Sequence, residues 1–485
     1  MKHPSTLQGA ASVPSATRPP ADAAAPATPI RVGLLGFGVV GGGVVRLLSQ
    51  KAGVIAAEIG RSIELQRVLV RDPRRSRRIK LPEAQITTDA AAILDDPAID
   101  IVVELMGGVN PAAEYIRRAI RNRKHVVTAN KDLMATQGVE ILQLAREHGV
   151  DVYFEASVGG GIPLIGVFRQ DLVANEVHQV HAIINGTTNY ILTRMAQDGV
   201  DFAPALEEAQ KLGYAEADPT NDVEGIDATF KLAILASLAF RTQISPQDVY
   251  REGITRLRAA DFRYAQELGY VIKLLAIGKR HPIAPAEQSD QVGAPGQEQA
   301  DGPADAGARP SRDEIEVRVH PTLIPRDFVL ADVNGVFNAV HVRGDLVGEV
   351  LFYGRGAGAE PTSSAVVADV VDIAHNLNAG VANRIPFHYA GRLAIRPMHQ
   401  LETRYYVRLW VADRPGVLAQ IARIFGEHHI SIASVIQKEV DLSAGSAELV
   451  IITHPAREAG LQAALGELAS LEVVRELASM CRIED

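Results

Sequence analysis

Cysteine is almost missing from this sequence: Cys481 is the only one among 485 residues. A single cysteine cannot form an intrachain disulfide or a cysteine-based zinc cluster, and it is typical of a reducing cytoplasm, where we expect this protein. Long apolar runs are missing too, because none approaches the ~20 residues needed to span a bilayer. The formal net charge of −9 argues against nucleic acid or an anionic membrane as a partner.

The composition is that of a globular chain with more than one domain, since 47% of its 485 residues are hydrophobic and 22% are charged. Two segments do not fit this description. Residues 1–28 are rich in Ala, Pro, Ser and Thr, and we expect a disordered tail, with an organellar transit peptide as the alternative. Residues 282–312 contain almost no large apolar side chain and are predicted to be a disordered insertion.

Residues 29–154 alternate between apolar, strand-like runs and helical patterns. Strands that alternate with helices predict βαβ units, so we expect an α/β fold with a Rossmann-like doubly wound parallel sheet. The runs lie at 30–35, 63–70, 101–105, 125–128 and 150–154. A glycine-rich turn and a helix within residues 346–375 are predicted to return to this domain and complete it.

A glycine-rich turn follows the first of these runs. It fits the pattern G-x-G-x-x-G between a strand and a helix, which is the context in which this pattern binds a dinucleotide. We therefore predict cofactor contacts from Gly36, Phe37, Gly38, Val39, Val40 and Gly41. The alternative is a glycine-rich turn that holds no ligand.

The end of the second strand decides which dinucleotide binds. Arg71 comes first there and Asp72 second. An arginine can bind the 2′-phosphate of NADP, so NADP is favoured, while Asp72 could still bind the ribose of NAD. More arginines follow in the same loop, namely Arg74, Arg75, Arg77 and Arg78. A solvated basic loop is the alternative.

The remaining sequence predicts two further units. Residues 155–345 mix strands with longer helices, which indicates an α+β domain with one open sheet. Residues 404–485 show the order strand, helix, strand, strand, helix, strand, with the last strand expected at 471–477. This βαββαβ order is that of a ferredoxin-like fold.

A dense group of acidic residues precedes a lysine in the segment GYAEADPTNDVEGIDATFKL, residues 213–232. Asp227 and Lys231 are four residues apart, so they share one face of a predicted helix that is largely buried. A lysine withdrawn from water is suited to proton transfer, and acids beside it can receive a cationic group of a substrate. The acids are Glu216, Asp218, Asp222, Glu224 and Asp227. The alternative is a surface ion pair beside a solvated acidic loop.

Three shorter motifs follow predicted strands, which is where doubly wound sheets bind their ligands. TANKDLMA, residues 128–135, places Lys131 near the nicotinamide end of the expected cofactor. SVGGGIP (157–163) and NGTTNY (185–190) are glycine-rich turns whose backbone can touch a ligand or hold a hard cation. Each motif alone could be an ordinary turn or a surface lysine.

Together and in this order, the motifs GFGVVG, ELMGG, TANK, SVGGGIP, NGTTNYIL and the acidic segment resemble homoserine dehydrogenase over residues 30–375. The C-terminal unit resembles an ACT domain, with DRPGVLAQIA as its signature. No aspartate kinase precedes these motifs, so the resemblance is to the monofunctional form. The resemblance implies interconversion of aspartate 4-semialdehyde and L-homoserine with NAD(P)(H), on the route to threonine, methionine and isoleucine.

The resemblance also implies roles for individual residues. Lys231 would act as the proton donor, and Lys131 and Asp227 would be the other catalytic residues. Substrate binding falls on Glu216, Asp222, Asp227, Lys131, Gly186 and Thr187. Cofactor binding falls on Thr128, Lys131, Gly356 and Gly358, in addition to the first glycine turn and Arg71. A site for Na⁺ or K⁺ maps to Glu155, Val158, Gly160 and Ile162, mostly through backbone oxygens.

Partners follow from the same resemblance. Threonine is expected at the ACT domain as a feedback inhibitor, and ACT units usually pair between subunits, so a homodimer or homotetramer is expected. Residues 155–345 would carry substrate binding, catalysis and dimerisation.

Two rival functions remain. The first is an aspartate-semialdehyde dehydrogenase, which needs a nucleophilic cysteine to form a thioester. The only cysteine, Cys481, lies in the C-terminal unit, which argues against this rival. A nucleotide-sensing regulatory protein would need no pair of catalytic lysines.

Overall fold

The computed structural model describes residues 28–282, 313–384, 386–387, 389, 391–441 and 445–484. Apart from one residue each, the predicted tail 1–28 and the predicted insertion 282–312 lie outside the described residues. The described chain forms three units, which are taken below in chain order.

Six parallel strands form the sheet of the N-terminal unit, in the order β3-β2-β1-β4-β5-β6. The strands are β1 (Ile30–Leu35), β2 (Ile63–Leu69), β3 (Ile86–Thr87), β4 (Ile101–Glu104), β5 (His125–Thr128) and β6 (Val152–Tyr153). The helices are α1 (Val39–Gln50), α2 (Ala52–Ile59), α3 (Ala91–Leu94), α4 (Ala112–Arg121) and α5 (Lys131–His148). The central strands are buried because they are apolar on both faces. The predicted doubly wound parallel sheet is confirmed.

The middle unit packs helices against a mostly antiparallel sheet with the order β12-β11-β7-β9-β10. Its strands are β7 (Val177–Ile183), β8 (Tyr250–Arg251), β9 (Tyr270–His281), β10 (Glu314–Pro325), β11 (Phe337–Gly344) and β12 (Gly348–Arg355). Its helices are α6 (Ile165–Arg169), α7 (Gly186–Asp198), α8 (Phe202–Lys211), α9 (Thr220–Val223), α10 (Ile226–Ala239) and α11 (Ala259–Glu267). Helix α10 is apolar on nearly every side and lies in the core against β9 and β10.

The chain then returns to the N-terminal unit through α12 (Ala359–Ala379), which packs against α1. Val366 of α12 shares an apolar core with Val44 of α1. The approach is close, because a side chain at Gly43 would lie 2.1 Å from the hydroxyl oxygen of Ser363. Helix α12 thereby covers part of the parallel sheet.

The C-terminal unit has the predicted ferredoxin-like order of strands and helices. Its four long strands lie side by side in the order β18-β14-β16-β15. The strands are β13 (Ala394–Ile395), β14 (Glu402–Ala412), β15 (Ile432–Asp441), β16 (Ser446–Thr453), β17 (Ala456–Arg457) and β18 (Val474–Ile483). The helices are α13 (Val417–Glu427) and α14 (Glu458–Ser470).

The sheets of the middle and C-terminal units are joined into one sheet of 12 strands. Strand β18 pairs in parallel with β10, with Thr322 opposite Arg482 and Leu323 opposite Ile483. The backbone N–H of Glu484 continues this pairing and donates to the carbonyl of Leu323 at 2.9 Å. The ACT-like unit is therefore continuous with the sheet that supports the middle unit.

Buried charges also cross this junction. The carboxylate of Asp261 on α11 accepts hydrogen bonds from Nε of Arg408 at 2.7 Å and from the hydroxyl of Tyr406 at 3.1 Å. Arg408 also binds Glu448 at 2.7 Å, and both partners are almost fully buried. Charges withdrawn from water this far must keep their partners, so these contacts fix how the two units meet.

Two long strands and four strands of two residues each were not predicted. Strands β11 and β12 carry polar residues and glycines that hide the alternation typical of strands. The prediction was also wrong at the last strand, expected at 471–477 but found at Val474–Ile483. The end of this strand depends on pairing with β10, a distant part of the chain. The run expected at 150–154 shortens to Val152–Tyr153.

Within the described residues, no single helix is long and apolar enough to cross a membrane. Helices α1 and α2 pass the length and composition test only as a pair that is bent by 72°.

Replacement of Asp261 by Ala should lower the free energy of unfolding by about 3–5 kcal/mol, because Arg408 would stay buried without its main partner. The control is Glu267→Ala on the same helix, whose ion pair with Lys438 crosses the same junction but is about half exposed. That control should cost about 0–1 kcal/mol. Denaturant unfolding followed by circular dichroism measures both values, and equal losses would contradict the prediction.

Candidate active site

Charged residues from two units meet at the ends of strands β5 and β7. Lys131 is the first residue of α5, just after β5, and the side chain of Asn130 caps this helix by accepting the N–H of Leu133. Asp227 lies in the first turn of α10, and Lys231 follows one turn later. The N-terminal unit thus supplies one lysine and the middle unit supplies the other.

The Asp227 carboxylate joins the two lysines. Its Oδ2 accepts a hydrogen bond from Nζ of Lys231 at 2.7 Å, and its Oδ1 lies 3.2 Å from Nζ of Lys131. Lys231 also donates to the carbonyl of Ile184 at 2.8 Å. The side chain of Lys231 is 12% exposed and that of Lys131 is 34% exposed, so Lys131 is the more accessible of the two lysines. The predicted pairing of Asp227 with Lys231 is confirmed as a contact.

Asn185 belongs to this cluster but was not singled out from the sequence. Its side-chain amide donates to Asp222 at 2.7 Å and to Asp227 at 2.9 Å. Its side-chain oxygen accepts the N–H of Thr188, so the same residue caps α7. The sequence feature that could have identified Asn185 is its place at the start of NGTTNY, because asparagine is a preferred residue at helix N-termini.

The pKa values of the cluster reflect burial opposed by charge pairing. Burial alone would raise the pKa of Asp227, but the two lysines outweigh it and the pKa is lowered. Burial lowers the pKa of Lys131, but Asp227 outweighs it and the pKa is raised. Burial raises the pKa of Asp222, and the charge of Asp227 adds to this increase. The cluster therefore holds one firmly ionised carboxylate beside one that protonates more easily.

The other predicted acids do not join this cluster. Glu216 is exposed in the turn after α8, and Asp218 accepts hydrogen bonds from Thr220 in the same turn. Glu224 instead accepts the hydroxyl of Thr255 at 3.2 Å. Spacing along the chain could not reveal which of the five acids turn inward.

The two residues after Asn185 lie at the exposed side of the cluster. The hydroxyl of Thr187 donates to the carbonyl of Tyr214 at 2.7 Å, which ties the start of α7 to the acidic segment. Gly186 packs so closely that a side chain there would lie 2.9 Å from the carbonyl oxygen of Val336.

The first glycine turn has the geometry expected of a dinucleotide site. Gly36 has φ +102°, and a side chain there would lie 2.7 Å from the carbonyl oxygen of Leu105. A side chain at Gly41 would lie 2.2 Å from the carbonyl oxygen of Gly36, so this glycine permits close packing of α1 against the turn. Gly38, by contrast, has no atom within 4 Å of that position, and it begins α1, whose N-terminus favours an anion.

The other predicted members of this turn differ in exposure. Val39 is 76% exposed at the first position of α1, and the carbonyl of Val40 accepts the hydroxyl of Ser363 at 3.1 Å. The ring of Phe37 faces the guanidinium of Arg77, with 5.6 Å from the ring centre to Cζ. Arg77 in turn binds the carbonyls of its own loop, so it shapes the loop.

The side chains of Arg71 and Asp72 differ in whether they already form hydrogen bonds inside the protein. Arg71 is exposed and forms no hydrogen bond or ion pair within the part of the chain that the structure describes. The carboxylate of Asp72 accepts the N–H of Arg74 at 2.8 Å, which closes a turn. The arginine is thus the freer of the two groups at the end of β2.

Thr128 is fully buried, and its hydroxyl is already used inside the protein. It donates to Glu104 at 2.7 Å and accepts the N–H of Asn130 at 3.0 Å. Glu104 is itself buried and also accepts the N–H of Met106 at 2.7 Å. This network orders the loop in front of Lys131, and it leaves the Thr128 hydroxyl unavailable to a ligand.

The segment predicted to bind a cation, residues 155–162, offers backbone oxygens, and we call it the cation segment. The carboxylate of Glu155 accepts the N–H groups of Leu164, Ile165 and Gly166 at 2.5–2.9 Å, so it caps α6. Among the described residues, no hydrogen bond ends on the carbonyls of Val158, Gly160 and Ile162. The described residues also contain no group of three or more acidic, His or Cys side chains suited to a metal. Carbonyl oxygens are ligands that a hard cation accepts, so the monovalent cation site stays a prediction that these free carbonyls allow.

A late glycine turn, residues 356–358, packs against the cation segment. A side chain at Gly160 would lie 2.5 Å from the carbonyl oxygen of Gly356, and Gly358 begins α12. The amide of Asn338 lies against Gly356, where a side chain would overlap it at 1.8 Å. Asn338 was missed by sequence reasoning because β11 was not predicted.

Cys481 lies on β18 and is 1% exposed. Burial raises the pKa of its thiol well above the ordinary value, so the thiol stays protonated and a poor nucleophile. This geometry disfavours the rival dehydrogenase that forms a thioester.

Comparisons with known proteins agree with this arrangement. Residues 36–155 match the NAD-binding domain of homoserine dehydrogenase, residues 163–371 match the homoserine dehydrogenase family, and residues 405–473 match the ACT domain. The homoserine dehydrogenase of Synechocystis sp. is 44% identical over 94% of this chain and 99% of its own length. That of Bacillus subtilis is 38% identical over 94% of this chain and 98% of its own.

A solved structure agrees as well. The crystal structure of a homoserine dehydrogenase from Thiobacillus denitrificans has a TM-score of 0.81 and 44% identity, covering 94% of this chain and 99% of that one. Fold and relatives thus define a nicotinamide-dependent oxidoreductase that acts on a CH–OH group. Within that class, the chain belongs to the homoserine dehydrogenase family.

Replacement of Asp227 by Asn should lower the pKa of Lys131. Burial lowers this pKa and the Asp227 carboxylate is the strongest group that raises it, so the pKa falls once that carboxylate is gone. Lys131 would then lose its proton at a lower pH than in the unsubstituted chain. NMR titration of labelled lysine side chains, assigned with Lys131→Ala, measures the shift. The control is Asp218→Asn, an exposed acid of the same segment, and an unchanged or higher pKa in the Asp227 variant would contradict the prediction.

Proposed function

We propose that this protein catalyses the reversible, NAD(P)H-dependent reduction of L-aspartate 4-semialdehyde to L-homoserine. The observation that carries the proposal is the meeting of Lys131, Asp227 and Lys231 at the strand ends, beside the glycine turns of a Rossmann-like sheet. Membership of the homoserine dehydrogenase family supports the substrate pair. The product would serve the synthesis of threonine, methionine and isoleucine, and the single buried cysteine suits the cytoplasm.

The chemistry needs one proton for each hydride. A reduced nicotinamide cofactor, held by the first glycine turn, would supply the hydride. In our proposal Lys231 donates the proton to the aldehyde oxygen, and in the reverse direction it takes the proton back from the alcohol. Asp227 holds its ammonium group in place through the 2.7 Å hydrogen bond, so the proton is aimed before the substrate arrives. Lys131 adds positive charge where the oxygen becomes negative.

The substrate is an amino acid, so its ammonium group needs acceptors and its carboxylate needs donors. We assign the ammonium group to Asp222 and Glu216, with Asp227 completing the acidic side. Glu216 is exposed in this structure, and its turn would have to close over the ligand. Gly186 and Thr187 begin α7, whose free N–H groups are suited to a carboxylate.

The cofactor site combines the first glycine turn, Gly36–Gly41, with Arg71 and the turn at Gly356. Gly38 leaves open space at the start of α1, where backbone N–H groups favour a pyrophosphate. Arg71 is free to bind a 2′-phosphate, whereas Asp72 already closes a turn, so we favour NADP over NAD. Thr128 and Lys131 would line the nicotinamide end.

Regulation and assembly complete the proposal. Carbonyls of Glu155, Val158, Gly160 and Ile162 would hold Na⁺ or K⁺ and keep the cation segment in register with the turn at Gly356. The ACT unit would bind threonine as a feedback inhibitor. We propose a homodimer or homotetramer.

The test is the absorbance of reduced nicotinamide while the purified chain oxidises L-homoserine. NADP and NAD are compared in sodium and in potassium buffers, each with and without L-threonine. We expect faster turnover with NADP and inhibition by threonine. Absence of turnover under every condition would refute the proposal and favour the regulatory protein that binds nucleotide without catalysis.

Lys231→Ala should lower kcat by about 10²–10⁴-fold, because a positioned proton donor contributes that much. Binding of the cofactor, followed by its fluorescence, should persist because Lys231 lies outside the first glycine turn. Lys211→Ala is the control: this lysine is 70% exposed and pairs with Glu207 on α8. If turnover of the Lys231 variant matches that of the control, Lys231 is not the proton donor.

Arg71→Ala should raise the KM for NADP by roughly 10-fold or more, since hydrogen bonds to charged groups contribute about 1.5–3 kcal/mol. The KM for NAD should stay the same because NAD carries no 2′-phosphate. Arg121→Ala, an exposed arginine at the end of α4, serves as the control. Equal effects on both cofactors would show that Arg71 does not select between them.

A further inference from the structure

The loop that follows β8 connects the ACT-like unit with the acidic segment of the active site. Glu252 begins this loop, and its backbone N–H donates to the carbonyl of Val319 on β10 at 2.8 Å. Its carboxylate accepts a hydrogen bond from Arg482 at 2.9 Å. Arg482 lies on β18, so one ion pair joins the last strand of the C-terminal unit to the middle unit.

Arg482 is fixed from both sides. It is fully buried, and its Nε binds Glu458 of α14 at 2.9 Å. Its guanidinium also faces the ring of Tyr250, with 5.2 Å from Cζ to the ring centre. The hydroxyl of Tyr250 donates to the same carboxylate of Glu252. Glu252 is therefore held between Tyr250 of the middle unit and Arg482 of the C-terminal unit.

The next residues of this loop press against the acidic segment. A side chain at Gly253 would lie 2.6 Å from the carbonyl oxygen of Val223 and 2.6 Å from Oε2 of Glu224. The N–H of Ile254 donates to that same carbonyl of Val223 at 2.8 Å. The hydroxyl of Thr255 reaches Glu224 at 3.2 Å. Residues 252–255, which we name the clamp loop, thus hold the turn at Val223 by backbone and side-chain contacts.

The clamped turn lies between the two acids of the active site. Asp222 directly precedes Val223, and Asp227 follows Gly225 by two residues. Gly225 has φ +73°, and a side chain there would lie 3.5 Å from the carbonyl oxygen of Glu252. A displacement of the clamp loop would therefore move the start of α10 and the Asp227 carboxylate with it.

We propose that Glu252 is a positioning residue for the substrate site: its ion pair with Arg482 lets the C-terminal unit set the placement of Asp222 and Asp227 through the clamp loop. This inference rests on the proposed function, because it assigns these acids to the substrate. It gives the C-terminal unit a direct mechanical connection to the site, in addition to any ligand that the unit binds.

Glu252→Gln tests the proposal, since it keeps the size of the side chain and an acceptor oxygen for Tyr250 but removes the charge. The KM for homoserine should rise about fivefold, while the KM for NADP should stay within about twofold. Glu267→Gln is the matched control, because its ion pair with Lys438 joins the same two units without touching the acidic segment. An unchanged KM for homoserine, or an equal rise for both substrates, would overturn the proposal.

Gly253→Ala tests the clamp loop itself. Its methyl group would push against Val223 and should raise the KM for homoserine in the same way. Gly426→Ala, in α13 with no atom within 4 Å of the new methyl group, is the control. If both changes act through one turn, the double variant Glu252→Gln/Gly253→Ala should raise KM by less than the product of the single effects. Fully multiplicative effects would contradict a shared route.

The NMR titration of Lys131 separates failure of this inference from failure of the proposed function. Lys131 senses the position of Asp227 across 3.2 Å, whether or not homoserine is the substrate. Glu252→Gln should shift this titration and Glu267→Gln should not. Absence of turnover in the unsubstituted chain would refute the substrate, whereas an unshifted titration would refute the positioning role.

Discussion

The rest of the site depends on the ion pairs that the Asp227 carboxylate forms with two lysines. The carboxylate binds Lys231 at 2.7 Å and Lys131 at 3.2 Å, so it balances two ammonium groups that would otherwise repel each other. Because these lysines come from different units, the carboxylate also joins the nucleotide-binding sheet to the middle unit. Asn185 completes the arrangement by linking Asp227 to Asp222. The contacts of Asp227 thus set the positions of the two lysines and also favour the charged form of Lys131.

Close backbone contacts bring the other parts of the site to this centre. The first glycine turn, the cation segment and the turn at Gly356 each approach a neighbour so closely that a side chain would collide with it. Asn338 fills the space beside Gly356 from the sheet of the middle unit, with its side chain almost fully buried. The cation segment, the turn at Gly356 and Asn338 therefore lie in direct contact, so a displacement of one would reach the others. This is a physical reason why a dehydrogenase of this kind needs so many glycines in its turns.

The sequence predicted the parts of the fold that depend on local pattern. The parallel sheet, the long helix α10 and the order of the C-terminal unit follow from apolar periodicity and turn residues, and the structure confirms them. It could not predict what depends on distant pairing, such as β11, β12 and the junction of β18 with β10. The same limit applies to the site: the spacing of Asp227 and Lys231 was informative, but only the fold shows that Asn185 joins them while Glu216 stays exposed.

The junction of β18 with β10 has a consequence for how the chain is made. Strand β10 emerges from the ribosome well before β18, so its edge at Thr322 and Leu323, and the buried Arg318 on the same strand, lack their C-terminal partners until the whole ACT-like unit has been synthesised. Glu484 then binds Arg318 at 2.7 Å and closes that edge. An open strand edge is a site of aggregation. The ACT-like unit thus completes the sheet of the middle unit, and it cannot be removed as a separate module without reopening that part of the edge.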